Sequence, residues 1–253
     1  MNKNLALLIQ TPYARLAGAI ALVLVSTGFL APDASAETRC QSKLSQETIA
    51  TLAEQAPRLD REVLQMGISA AFCAVEQRKV ERDDLVTIID YSVPSTEPRL
   101  WVFDLRKQRL LFEEHVAHGV NSGHDRTTSF SNVEGSRQSS LGLYVTDNPY
   151  VGRNGYSLRL RGLDHGFNDR AWKRAIVMHG ADYVNPTVAR AQGRLGRSWG
   201  CPAVRTAVAR EMIDTIKGGT PIFAYYPDQD WLATSAFLSS EAGSLVRGSI
   251  ASR

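Results

Sequence analysis

The chain has 253 residues, with 29 basic and 26 acidic side chains, a formal net charge of +3, 43% apolar residues and 22% charged ones. This is an ordinary globular composition and excludes a disordered chain, a collagen and a long coiled coil. Three cysteines are too few for a disulfide miniprotein, and so small a charge does not suggest nucleic-acid binding, which rests on a concentrated basic surface.

Residues 1–36 read as a secretory signal. Lys3 and Arg15 precede a neutral stretch with its apolar heart at 16–25, and Ala34-Ser35-Ala36 supplies the small-residue cleavage pattern before Glu37. A retained anchor is the rival reading, but the apolar heart is short against the roughly 20 residues a span needs. Cleavage after Ala36, a periplasmic or secreted mature chain and no further membrane span are therefore expected. In an oxidising compartment Cys40 and Cys73 are candidates for a disulfide that would leave Cys201 unpaired. An odd cysteine is either a small buried hydrophobe or a reactive thiol, and oddness alone does not decide between them.

Residues 37–85 read as a helical segment. Ile49, Leu52, Ala53 and Ala56 recur at helical spacing, and Asp60 suits the cap of a second helix carrying Val63, Leu64, Ile68, Phe72 and Val75. From 86 the texture changes to short strands, expected at 86–90, 100–105, 110–117, 141–146, 156–161, 175–179 and 221–226. The second and third flank Arg106-Lys107-Gln108 as in a hairpin. Helical patterns interrupt at 186–194 and 206–217, with Gly218-Gly219 as a C-cap. The expectation is a mainly β domain with inserted helices over 86–226, followed by a partly ordered Ser/Ala/Gly-rich tail over 227–253.

The stretch that carries chemistry is His179-Gly180, then Gly196-Arg197-Ser198-Trp199-Gly200-Cys201-Pro202. A thiolate is a strong nucleophile, but a free cysteine is mostly thiol at neutral pH and needs a base or a positive surrounding. Gly200 permits a tight turn, and the amides of Gly200 and Cys201 are placed to point together at a developing oxyanion. His179 ends the apolar run Ala175-Ile176-Val177-Met178, so it sits on a rigid element that opens onto a cleft. A lone histidine is more often structural; its partnership with Cys201 is what makes it the expected base.

Other chemistries fit less well. Gly196 to Gly200 matches the serine-hydrolase elbow, but no histidine follows Ser198, as chain order there requires. Neither S-x-x-K nor H-E-x-x-H occurs. His115 and His118, three apart in a strand, face opposite sides and do not easily share a metal. A zinc site built on His179 and Cys201 has no supporting ligand spacing, so neither a metal nor any cofactor is expected.

At these residues the sequence resembles the L,D-transpeptidase (YkuD-type) catalytic domain, in its murein L,D-transpeptidase variant. The family pattern is a histidine, a loop, then Ser/Thr-His-Gly-Cys, met here as His179 and Ser198-Trp199-Gly200-Cys201. Ser139 to Tyr144, Asp90-Tyr91-Ser92, Phe130-Ser131-Asn132 and Gly155 to Leu160 also look like this variant. The resemblance covers about 86–226 and implies a β-sandwich-type catalytic fold. Trp199 replaces the second motif histidine, and Pro202-Ala203-Val204 replaces the usual branched residue and Arg or Asn.

The resemblance implies acyl transfer on peptidoglycan stem peptides, with Cys201 as nucleophile and His179 as base. Gly200 and Cys201 would form the oxyanion hole, and Ser198 and Gly180 would orient the site. Arg197, Trp199, Tyr144 and His118 would border the substrate. It also implies that carbapenems acylate Cys201. Two alternatives stay open: a carboxypeptidase or crosslink- or lipoprotein-releasing hydrolase using the same thioester, and an inactive peptidoglycan-binding module. Oligomeric state is not legible.

Overall fold

The structure is a computed structural model in which residues 44–238 are described. The expected signal segment, Cys40 and the tail beyond 238 lie outside the described residues. Cys73 is disulfide-bonded and Cys201 is a free thiol.

Two helices open the described chain. Helix α1 (Gln46–Gln55) starts at Ser45, whose side chain accepts from the Thr48 amide, and buries Ile49 and Leu52. Helix α2 (Arg61–Glu76) starts at Asp60, whose carboxylate accepts from the Glu62 and Val63 amides. Both are N-caps satisfying amides that a helix start leaves orphaned. α2 lies close on the sheet: a Cβ on Gly67 would sit 3.0 Å from Ile88 Cδ1. Both helices bury their apolar stripes in one core with the sheet, so the helical segment and the β region fold around shared hydrophobic contacts.

Among the described residues eight strands join one mixed sheet. β1 (Leu85–Asp90) and β2 (Leu100–Asp104) are antiparallel, and β3 (Arg109–Glu114) completes the expected hairpin. β4 (Gly142–Gly152) and β5 (Gly155–Gly162) form a long hairpin closed by Gly152 opposite Gly155. β6 (Val177–Gly180) runs antiparallel to β5, β7 (Ala203–Val204) runs parallel to β6, and β8 (Pro221–Tyr225) lies between β1 and β4. The order is β3-β2-β1-β8-β4-β5-β6-β7. β1, β2 and β8 are buried at every residue, which explains their unbroken apolar runs: both faces are covered.

Three short helices complete the fold. α3 (Pro186–Gln192) is capped by Asn185 and ends on Gly193 in the left-handed region. α4 (Thr206–Ile216) buries Ala209, Met212, Ile213 and Ile216, one stripe at helical spacing. Its first turns press on β6, where a Cβ on Gly180 would lie 2.9 Å from Ala209 Cβ. α5 (Gln229–Thr234) falls in the stretch expected as tail. Asp228 caps it, and the fully buried Trp231 packs on Phe223 and Tyr225 with ring centroids 5.5 and 6.2 Å apart. The mainly β architecture with inserted helices is therefore observed, with the ordered core continuing through Phe237.

Candidate active site

The site forms where β6 meets the turn before β7. Their parallel register sets His179 opposite Ala203. Cys201 lies two residues before Ala203, in the turn that leads into β7, and the Val177 amide on β6 favours its thiolate. His179 and Cys201 both line a cavity of about 440 Å³ with Val177, Arg174, Ser198 and Trp199.

The nucleophile turn is braced from within. Ser198 Oγ accepts from the Gly200 amide at 3.0 Å and donates to the Cys201 carbonyl at 2.7 Å. Gly200 has φ 119°, and a Cβ there would lie 2.6 Å from the Gln138 carbonyl oxygen. Only glycine fits this conformation and this approach. Of the two amides expected at the oxyanion hole, that of Gly200 is thus spent on Ser198. The Cys201 amide has no hydrogen bond among the described residues, and neither has the amide of Trp199.

His179 is 5% exposed, and its Nδ1 lies 2.9 Å from the Gly180 carbonyl. That acceptor fixes the proton on Nδ1 and leaves the Nε2 lone pair free. Burial pushes the ring below its ordinary pKa, so it is neutral at pH 7. Gly180 serves twice here, by its carbonyl and by its lack of a side chain under α4.

The Cys201 thiol is pushed up by burial, while the Val177 amide and the charge of Arg174 pull the other way. The resting pair is therefore thiol and neutral imidazole. The two make no direct hydrogen bond in the described residues; the thiol faces the Ala175 carbonyl at 3.8 Å. Ala175 holds φ 53°, a left-handed conformation costly for a residue with a Cβ, and this turns its carbonyl toward the sulfur.

Arg174 is a site residue that sequence reasoning missed. Its guanidinium donates to the Ser131 carbonyl at 2.6 Å, the Gln138 carbonyl at 2.7 Å and Ser136 Oγ at 3.1 Å, and it also bonds Ser140 Oγ. It thereby ties down the 131–140 loop on which the Gly200 turn rests. No local pattern marks it, because all its partners are more than thirty residues away in the chain.

The other expected site residues divide. Arg197 lines the cavity, and its guanidinium also donates to the Val120 and Gly123 carbonyls at 3.2 and 2.8 Å. Trp199 is 63% exposed at the cavity wall. His118 is not at a rim: it is fully buried, with Nδ1 accepting from the Arg99 guanidinium at 2.7 Å. Burial and the cation beside it push its pKa down to about 4. Tyr144 is also buried, its hydroxyl donating to the Ser140 carbonyl at 3.0 Å, because β4 turns it into the core. Arg205, at the start of α4, is committed to an ion pair with Glu114. Among the described residues no group of three His, Cys, Asp or Glu side chains is placed to hold a metal ion, and no helix is long and apolar enough to cross a membrane.

A neutral histidine on β6 and a cysteine in the turn before β7, opening on one cavity, define a site suited to thiol chemistry. The sequence profile of the L,D-transpeptidase catalytic domain matches residues 55–225, and the chain belongs to that family. No curated protein matches. Similar solved structures include an L,D-transpeptidase from Mycobacterium smegmatis, 13% identical, TM-score 0.35, covering 56% of this chain and 59% of that one. Another is the helical cell shape determining protein Pgp2 from Campylobacter jejuni, 10% identical, TM-score 0.40, covering 64% of this chain and 51% of that one. A third is an L,D-transpeptidase from Stackebrandtia nassauensis, 10% identical, TM-score 0.34, covering 74% and 96%. The chain thus spans between half and three-fifths of the first two.

Proposed function

We propose that this protein is an exported cysteine acyltransferase acting on peptidoglycan stem peptides, with the catalytic domain over 86–226 buttressed by the helical segment 37–85. The observation that carries the reading is the shared cavity of Cys201 and His179, with an unbonded amide on Cys201 itself. The thiol turns from the Ala175 carbonyl and gives its proton to His179 Nε2 as sulfur attacks the stem carbonyl. The oxyanion is held by the Cys201 amide, and losing one such donor costs about 3 kcal/mol. Collapse expels the terminal D-alanine amine, which takes the proton from the imidazolium, and leaves a thioester on Cys201. The amine of a second stem then attacks the thioester and gives a proton to His179, and the sulfur leaves as thiolate and takes that proton back, restoring the resting thiol and neutral imidazole.

Export follows from the signal read over 1–36, and the periplasm or cell exterior is the corresponding location. The test is incubation of the protein and its Cys201→Ala variant with purified muropeptides, products resolved by mass. Crosslinked dimers that depend on Cys201 support the transferase. Trimmed monomers alone replace it with the hydrolase, and no cysteine-dependent product refutes both.

A further inference from the structure

Trp199 stands where the family pattern has a histidine, and two arginines from separate loops converge on its ring. The Arg137 guanidinium carbon lies 4.6 Å from the indole centroid and that of Arg153 lies 5.8 Å away. Arg137 comes from the 131–140 loop and holds φ 55°, a left-handed conformation. Arg153 comes from the β4–β5 turn and lines the cavity with Trp199. All three side chains are exposed.

A guanidinium that lies over an aromatic ring uses its face and leaves its N–H edge available. Neither arginine makes a side-chain hydrogen bond or an ion pair among the described residues. Nearby acids are engaged elsewhere: Glu134 pairs with Lys173 and Asp169 accepts from Asn132. The cavity is lined by Arg153, Arg174 and Arg197 and by no Asp or Glu. Positive charge thus lines the cavity that holds the nucleophile, with no carboxylate among the lining residues.

The geometry points to Arg137, Trp199 and Arg153 as a carboxylate-recognition element that binds the free C-terminal carboxylate of a peptide substrate next to the bond that Cys201 attacks. This rests on the acyltransferase reading and names the substrate feature that the same site selects. The indole gathers both cations within 6 Å of its centre, and their N–H edges take the carboxylate by charge-assisted hydrogen bonds. The tryptophan in place of histidine is then a change from proton chemistry to substrate selection.

The test uses a stem tetrapeptide ending in D-alanine as the free acid and as the C-terminal carboxamide. Affinity for both is measured by calorimetry on the Cys201→Ala protein, so that no turnover intervenes. The acid is expected to bind at least tenfold more tightly than the amide, with the advantage shrinking as salt is raised. In Arg137→Gln, Arg153→Gln and the double variant the acid should weaken towards the amide, while amide binding stays as it was. No preference for the acid in the parent protein, or a preference that survives in the double variant, overturns the inference. Cys201-dependent products from muropeptides in either of those cases would leave the acyltransferase standing and remove only the recognition element.

Discussion

Ser198 Oγ closes the nucleophile turn by donating to the Cys201 carbonyl at 2.7 Å while it accepts from the Gly200 amide. The hydroxyl is a brace, and it makes no hydrogen bond with His179 among the described residues. Ser198→Ala removes both bonds and leaves a buried amide and a carbonyl unsatisfied. A loss of about 1–3 kcal/mol in stability is expected, measured by chemical denaturation. Turnover should fall with little change in KM, because the geometry of the sulfur is disturbed and the substrate walls are not.

Gly200→Ala should be worse. The new Cβ meets the Gln138 carbonyl at 2.6 Å in a left-handed conformation, so strain alone costs about 1–3 kcal/mol before the clash is counted. Thermal unfolding should show a large drop in Tm, and thiol labelling should show Cys201 released from its surroundings.

Arg174→Gln is expected to shift the reactivity of Cys201. The guanidinium favours the thiolate, so its loss should move the pH profile of iodoacetamide alkylation to higher pH. It should also free the 131–140 loop, read as faster proteolytic cleavage there. Lysine at this position should restore part of the pH profile but not the loop, because it cannot reproduce the fork of hydrogen bonds.

His179 predicts the acid limb of activity. Burial holds its pKa below 6.5, so a neutral base persists through pH 7 and turnover should fall only as pH drops below that value. His179→Gln should lower the rate by about 100-fold or more and abolish the acid limb.

His118 predicts an acid sensitivity of stability. Folded, the ring stays neutral down to about pH 4, whereas the unfolded chain takes up its proton near 6.5. The unfolded state binds more protons in that window, so stability falls as pH drops through it, by at most about 3 kcal/mol. Denaturation from pH 7 to 4 should show a steeper loss in the parent protein than in His118→Gln.

How far the sequence disclosed this site depended on distance along the chain. His179 and Cys201 were legible because each lies in a local motif, a strand end and a Gly-Cys turn. The cap at Asp60 and the apolar runs of β1, β2 and β8 were legible from residue type and periodicity, whereas the Ser45 cap was not read. Arg174, Ala175 and the free and occupied amides were not, since their roles arise from loops that meet only on folding. Tyr144 misled because an alternating strand pattern does not say which face looks into the core, and His118 because the segment after β3 carries it inward onto Arg99. The helix α5 was passed over because its Ser- and Ala-rich neighbourhood hid Asp228-Gln229-Asp230-Trp231, a cap followed by an anchor.

That last helix carries a practical consequence. Ser235 Oγ donates to the buried carboxylate of Asp164, whose other oxygen accepts from the Leu143 amide at 2.6 Å. Anyone shortening this polypeptide for crystallisation or labelling should retain it through Phe237. Trimming at Tyr226 would strip a partner from an interior acid, empty the Trp231 socket and yield a protein whose poor behaviour had nothing to do with its chemistry.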